Sequence, residues 1–208
     1  MLFHPLNEIL GSGAKVQILR ALLPLTTPVS GREAQRLARV RSRKGGSVAL
    51  EELSDLGVLQ RVELRGSHLY QVNPEHELVR PLATLFGVEE DRLRVFVSTI
   101  RTGLAERNVA DRVSSLILYG SNARWEAKPR SDVDLLAVVG SELAVVEVRH
   151  ALLEVGEEVR RRQGLRISPY VLSANRVEER LEKGDPLMET IRKEGRILLG
   201  DPLPGMSA

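Results

Sequence analysis

The chain has 208 residues, a formal net charge of +2, 42% hydrophobic residues and no cysteine. The absence of cysteine excludes disulfides and thiolate metal sites, and no apolar run reaches the roughly 18 residues of a membrane-spanning helix. The N-terminal sequence also lacks the basic-then-apolar pattern of a secretory signal. We therefore expect a cytoplasmic protein with no membrane partner, long enough for two modest domains.

The first 73 residues predict three short helices followed by a β-hairpin. Apolar residues recur at helical spacing after serines that can cap a helix, and the third helix is expected to begin at Ser47. The stretch LQRVELRGSHLYQV then alternates around Gly66 and Ser67, a pair typical of a two-residue hairpin turn. Three helices and a hairpin follow one another in this order in a winged helix-turn-helix domain, which we predict over residues 1–73.

A basic run lies at the start of the third predicted helix, at Arg41, Arg43 and Lys44. In helix-turn-helix proteins this end of the recognition helix enters the major groove, where basic side chains meet phosphates and base edges. We predict a DNA-binding surface from these residues, Ser47 and, on the hairpin, Arg65; a merely solvated charged face is the alternative. Because such proteins commonly read paired half-sites, double-stranded DNA and a second copy of the chain are the expected partners.

Residues 74–87 predict a connecting helix, and residues 88–208 predict an α/β domain. After one amphipathic helix the pattern runs strand, turn, strand, long helix, strand and final helix, which indicates a sheet covered by helices. The long helix is expected over residues 141–163, and Asp185 is expected to cap the final helix, which would extend to Leu198. A proline within LRISPYVLS indicates that this strand lies at an edge of the sheet.

Two carboxylates stand two residues apart in SDVDLLAVV, immediately before an uninterrupted apolar run. In a strand, Asp132 and Asp134 would face the same side, roughly 6.6 Å apart. Two like charges at that separation repel by about 1–3 kcal/mol, so a positive partner is expected. Carboxylates suit Mg²⁺, which is held through one or two of them while substrate phosphates complete its octahedron.

A glycine turn precedes the two carboxylates in the sequence. Gly120 and Ser121 end the predicted strand SSLILY; glycine allows close approach of the backbone, and exposed amides attract phosphates. Each feature alone is weak evidence for a binding site, because strand ends often carry solvated carboxylates. Their joint occurrence predicts a metal–nucleotide site, in which Arg124 could neutralise phosphate charge.

The stretch LYGSNARWEAKPRSDVDLLAVV resembles the signature of minimal nucleotidyltransferases of the polymerase-beta-like superfamily. The matching residues are Gly120, Ser121, Ala123, Arg124, Ser131, Asp132, Asp134 and Leu135. The order of elements along the whole chain is similar to prokaryotic members with an N-terminal winged helix. The resemblance implies an α/β (α+β) fold with a small mixed sheet and the transfer of a nucleoside monophosphate from an NTP to a hydroxyl acceptor. It also implies that Gly120 and Ser121 hold the triphosphate, and that Asp132 and Asp134 are catalytic and hold Mg²⁺ or Mn²⁺.

Two departures from the family pattern leave the activity open. Trp125 stands where the family usually has glycine. It is expected to be either a packed turn residue or a surface on which a base stacks. Catalytic members also supply a third carboxylate from a later strand, and Ser168 occupies that place here. Without that carboxylate, the chain would be a DNA-binding regulator whose nucleotidyltransferase-like domain senses a nucleotide or dimerises. An antitoxin-like interaction module is a third alternative.

Overall fold

The computed structural model describes residues 12–64 and 67–206. They divide into two compact units, formed by residues 12–91 and 92–206. Each unit buries its own apolar cluster. Among the helices of these described residues, none has the length and apolar character needed to cross a membrane.

The first unit combines helices with a three-stranded sheet. Its elements are α1 Gly13–Leu22, β1 Val29–Ser30, α2 Gly31–Leu37, α3 Arg43–Asp55, β2 Leu59–Leu64, β3 Ser67–Val72 and α4 Val79–Glu90. Strand β3 lies between β1 and β2 and runs antiparallel to both. The apolar faces of α1, α3 and α4 meet over this sheet, where Leu19, Leu50 and Phe86 are buried.

Helix α3 begins four residues earlier than the sequence suggested. The prediction of a start at Ser47 is wrong, because the Ser42 hydroxyl caps the helix by accepting a hydrogen bond from the Gly45 amide (3.1 Å). Both serines suit a cap, but only Ser42 is used. Arg43 and Lys44 therefore lie in the first helical turn and not in a preceding loop.

The predicted hairpin turn at Gly66 and Ser67 is wrong for Ser67. Leu64 pairs with Ser67 across β2 and β3, so Ser67 lies in a strand. Gly66 lies outside the described residues. Arg65, which the sequence assigned to the DNA surface, lies outside the described residues.

The helix predicted over residues 74–87 is α4, which runs Val79–Glu90. It packs within the first unit, because Phe86 is buried in the same cluster as α1 and α3. The Arg20 guanidinium holds the Glu89 carboxylate with two hydrogen bonds, from Nε (2.8 Å) and Nη2 (3.1 Å). An apolar contact and a bidentate ion pair thus join the last helix of this unit to its first.

The second unit is a four-stranded sheet with helices on both faces. Its elements are α5 Arg92–Glu106, a 3₁₀ turn Ala110–Arg112, β4 Val113–Tyr119, α6 Gly120–Ala123, β5 Val133–Val139, α7 Glu142–Gln163, β6 Ile167–Ser173, α8 Ala174–Glu182, α9 Pro186–Glu194 and β7 Arg196–Gly200. The strand order is β6-β5-β4-β7. Strands β5 and β6 are parallel, and the other two pairs are antiparallel.

Burial on both faces explains the uninterrupted apolar run of β5. Leu135 and Ala137 lie in the cluster formed with α5 and α7. Leu136 and Val138 lie in the opposite cluster, formed with α8 and α9. Because side chains alternate along a strand, Asp134 belongs to the α8–α9 face, at the end of the strand.

Most of the predicted elements of this unit are confirmed, but helix α8 and the last strand, β7, were missed. Strand β6 is an edge strand, and Asp185 caps α9 by accepting hydrogen bonds from the Leu187 (2.9 Å) and Met188 (3.2 Å) amides. The expectation that the final helix extends to Leu198 is wrong. The backbone becomes extended at Gly195, and the next five residues form β7, which pairs with β4.

Helices α5 and α7 approach closely at Gly103, where an added Cβ would lie 2.5 Å from Val155 Cγ2. We predict that Gly103→Ala lowers the free energy of unfolding of the second unit by about 1–3 kcal/mol, because a β-branched neighbour has little freedom to move aside. Chemical denaturation measures the change. The control is Gly87→Ala in α4, where nothing lies within 4 Å and alanine should stabilise the first unit by about 0.5–1 kcal/mol. Stabilisation by both substitutions would contradict this packing.

Candidate functional site

The pairing of β4 with β5 brings the glycine turn onto one of the two carboxylates. Tyr119, the last residue of β4, lies opposite Asp134. Gly120 then turns the chain into α6 with φ = 70°, and a Cβ at this position would collide with Asp134 Oδ2 and lie 3.2 Å from its Cγ. Both the backbone angle and the contact require glycine here. The structure therefore brings Gly120 and Asp134 together, as the sequence predicted.

The positive partner expected beside the carboxylates is Arg166. Its Nε lies 3.0 Å from Asp132 Oδ1, and its Nη2 donates to the Arg130 carbonyl oxygen (3.1 Å). Because Val133 pairs with Ile167, the preceding residues, Asp132 and Arg166, are also neighbours. Their side chains are 47% and 61% exposed, so this ion pair contributes little to stability. The sequence analysis did not identify this arginine.

A buried amide anchors the start of β5 to the glycine turn. Asn122 lies in α6, is fully buried, and donates through Nδ2 to the Asp132 carbonyl oxygen (2.7 Å). The intervening loop is closed by Ser131, whose hydroxyl accepts from the Lys128 amide (3.0 Å) while its own amide donates to the Lys128 carbonyl (2.9 Å). These bonds hold Asp132 beside the turn. Asn122 was also missed, although its position between Ser121 and Ala123 in the motif was a signal.

The environment of Asp134 disfavours an uncompensated negative charge. Burial raises the pKa of its carboxyl above the ordinary value, the charge of Asp132 raises it further, and Arg124 opposes both effects. Burial also raises the pKa of the neighbouring Tyr119 hydroxyl, with a further contribution from Asp134. A cation at this end of the sheet would therefore be favoured electrostatically.

Arg124, predicted to bind the nucleotide, is already engaged with acidic side chains. Its Nε donates to Glu126 (2.8 Å) and its Nη1 to Glu194 (3.3 Å), and both partners raise the pKa of the guanidinium. Ser121, predicted to hold phosphate, is half-buried in α6 next to Gly120. All three predicted nucleotide-binding residues thus lie in or beside the glycine turn. The charge of Arg124, however, is partly compensated by the two glutamates.

The place of a third carboxylate is occupied by a hydroxyl. Ser168 on β6 pairs with Asp134 on β5 and shares its face of the sheet. Within residues 12–64 and 67–206, no three His, Asp or Glu side chains gather into a metal-binding group. Two carboxylates at an open strand end fit Mg²⁺ that is held together with substrate phosphates, and do not fit a cation enclosed by protein ligands alone.

Trp125 is not a packed turn residue. Its backbone is left-handed (φ = 63°) and the residue is 50% exposed. The Arg196 guanidinium carbon lies 4.5 Å from the centroid of its ring. The left-handed backbone is the conformation that glycine adopts without strain, which is a physical reason for glycine to be common at such a position.

In the first unit, the residues predicted to bind DNA lie together where α3 begins. Arg41, Arg43, Lys44 and Ser47 are all exposed. All of them except Lys44 border an open groove of about 470 Å³ that also contacts Arg32, Gln35 and Arg36. The Gln35 side chain donates to the Ser47 hydroxyl (3.3 Å), and Arg36 forms an ion pair with Glu33. The surface is therefore basic, with one of its arginines already paired.

Comparison with known families agrees with the geometry of the second unit. The family model described as a nucleotidyltransferase domain matches residues 97–198, a range that contains the glycine turn and both aspartates. This match supports the nucleotidyltransferase superfamily for this part of the chain, and a mixed α/β architecture with small sheets fits that fold. No curated protein gave a significant match.

We predict that Gly120→Ala disrupts the site, because alanine is strained at this φ by about 1–2 kcal/mol and its methyl group would displace the Asp134 carboxylate. The midpoint of thermal unfolding should fall by several degrees. Gly140→Ala is the matched control, since nothing lies within 4 Å of an added Cβ in that strand-end turn. An unchanged midpoint for Gly120→Ala would contradict the contact.

Proposed function

We propose that the protein transfers a nucleoside monophosphate from an NTP to a hydroxyl acceptor, with Mg²⁺ as cofactor. The observation that carries this proposal is the Gly120 turn, which lies directly against Asp134 while Asp132 stands beside it. A glycine backbone can closely approach a phosphate chain, and paired carboxylates can hold Mg²⁺ together with those phosphates. The family match over residues 97–198 supports the same reaction.

Each residue of the site has a distinct role in this proposal. Asp132 and Asp134 would hold Mg²⁺, and the backbone at Gly120 and Ser121 would orient the outer phosphates. The cation supplies stabilisation of the negative charge that develops on the phosphate oxygens. Asn122 keeps the Asp132 backbone in place through a buried hydrogen bond, so the carboxylates need little reorganisation.

The proposed reaction is a displacement at the α-phosphorus. The oxygen of the acceptor hydroxyl forms a bond to that phosphorus, while the bond to the oxygen that bridges the α- and β-phosphates breaks. Pyrophosphate leaves with the electron pair, and the hydroxyl proton passes to water. Alignment of the three atoms is the main contribution of the protein to such a transfer.

Arg166 balances part of the negative charge of the proposed site. In the absence of a cation its guanidinium compensates Asp132. Because both side chains are about half exposed, a cation can replace the arginine at low cost. The released guanidinium would then face the phosphates.

A second candidate function is favoured by Ser168, which stands in register with Asp134 where a catalytic carboxylate is expected. In this candidate the second unit binds a nucleotide without transferring it, and the first unit is a winged helix that binds DNA as part of a homodimer. The helices α1 to α3 followed by the β2–β3 hairpin support the winged helix. The exposed basic start of α3 supports DNA binding.

Transfer of a labelled phosphate distinguishes the two candidates. Each of the four NTPs, labelled at the α-phosphate, would be incubated with the protein, Mg²⁺ and a nucleotide-free cell extract as a source of acceptors. Label in an acceptor, accompanied by pyrophosphate and absent with Asp132→Asn/Asp134→Asn, would establish the enzyme. Nucleotide binding without any transfer of label would favour the regulator.

We predict that Mg²⁺ and an NTP together raise the thermal unfolding midpoint of the native protein, and not that of Asp132→Asn/Asp134→Asn. A ligand at 100 times its Kd stabilises a folded protein by about 2.7 kcal/mol, which corresponds to several degrees. Each protein is compared with its own midpoint without ligand. Asp111→Asn, at an exposed carboxylate, serves as the control and should respond like the native protein. Equal shifts in the native protein and the double variant would contradict the assignment of the carboxylates.

Replacing Arg41, Arg43 and Lys44 by alanine should weaken binding to duplex DNA and reduce its dependence on salt. Each lost phosphate contact lowers the slope of log K against log salt by about 0.9, so a loss of up to about three units is expected. Fluorescence anisotropy at several salt concentrations measures the slope. A triple alanine variant at Arg160, Arg161 and Arg162 on α7 removes the same charge from the second unit. If both variants keep the native slope, α3 does not bind DNA.

A further inference from the structure

Arg196 and Trp125 form a stacked pair beside the glycine turn. Arg196 is the first residue of β7 and pairs with Leu118 on β4, two residues before Gly120. Its guanidinium carbon lies 4.5 Å from the centroid of the Trp125 ring. Its Nε donates to the carbonyl oxygen of Ala123, the last residue of the one-turn helix α6 (3.1 Å). The guanidinium therefore lies about one helical turn from Gly120.

The backbone of Trp125 has a conformation that is costly for any residue other than glycine. A left-handed backbone costs a residue other than glycine about 1–2 kcal/mol, and Trp125 adopts it at φ = 63°. Half of the residue remains exposed to solvent. The ring contacts the Arg196 guanidinium, and this cation–π contact favours a guanidinium that lies over the ring.

The charges of the neighbouring arginines differ in how they are compensated. Arg124 forms ion pairs with Glu126 and Glu194. Within the described residues, no Asp or Glu side chain forms an ion pair with Arg196, which is exposed and uses Nε for a neutral carbonyl. Its two Nη groups keep donors for an anion, and a guanidinium can bind two phosphate oxygens at once.

We propose that Arg196, oriented by Trp125, binds the terminal phosphates of the nucleoside triphosphate. This inference rests on the proposed function, because it takes the triphosphate to lie along the Gly120 turn. The pair would thereby favour nucleoside triphosphates over monophosphates. Arg196 is the contact residue, and Trp125 is a positioning residue.

The test compares dissociation constants for ATP, ADP and AMP in Mg²⁺ by calorimetry. Arg196→Ala should weaken ATP binding about tenfold, as expected for the loss of a charge-assisted contact, and change AMP binding less than twofold. Trp125→Gly relieves the backbone and removes the ring, so it should lower ATP affinity; its unfolding midpoint is measured alongside to show that the variant is folded. Trp125→Tyr keeps a ring and should restore most of the affinity. Arg149→Ala, at an exposed arginine of α7, should leave all three constants unchanged.

The results separate this inference from the proposed function. If the native protein binds ATP in the presence of Mg²⁺ and the Asp132→Asn/Asp134→Asn variant does not, the proposed nucleotide site is supported. In that case, native-like ATP affinity in Arg196→Ala overturns the role of Arg196, and an equal loss for ATP and AMP overturns its contact with the terminal phosphates. Native-like affinity in Trp125→Gly overturns the positioning role of the ring. If native protein binds no nucleotide, the proposed function and this inference fall together.

Discussion

The antiparallel pairing of β4 with β5 is the constraint on which the candidate site depends. It sets Tyr119 opposite Asp134 and leaves the next residue, Gly120, in contact with the Asp134 carboxylate. The apolar residues of both strands hold that register, because a shift by one residue would reverse their two buried faces. Packing of the apolar core therefore fixes the position of the polar site at the end of these two strands. Asn122 extends the same constraint to Asp132 through a buried hydrogen bond.

The charges around Asp132 and Asp134 determine which ligand this end of the sheet favours. Asp132 is compensated by Arg166, whereas burial and the charge of Asp132 raise the pKa of Asp134. The two carboxylates therefore favour a cation, and the cation needs further oxygen ligands that a phosphate chain can supply. Ser168 beside Asp134 contributes a hydroxyl and no negative charge. That difference is the physical basis of the two candidate functions, since both propose that the same residues bind a nucleotide and they differ only in whether transfer follows.

Local patterns predicted much of the fold and the centre of the site, whereas features that depend on pairing between distant segments were missed. The apolar run of β5, Gly120 and the two aspartates are readable within some twenty residues of sequence. The role of Arg166 depends on the parallel register of β5 and β6, which no local pattern reveals. Strand β7, which carries Arg196, is short and only partly buried, and its apolar residues continue the spacing of α9. The start of α3 was misplaced because two nearby serines offered equivalent caps.

Binding of Mn²⁺, followed by the electron paramagnetic resonance of the free ion, tests the central claim most directly. Two carboxylates alone should bind the ion weakly, and together with a non-hydrolysable NTP analogue they should bind it tightly. The account predicts that the free-ion signal falls far more with protein and analogue together than with either alone. It also predicts that Asp132→Asn/Asp134→Asn abolishes this excess. The same loss of signal in native protein and double variant would contradict a metal–nucleotide site at these residues.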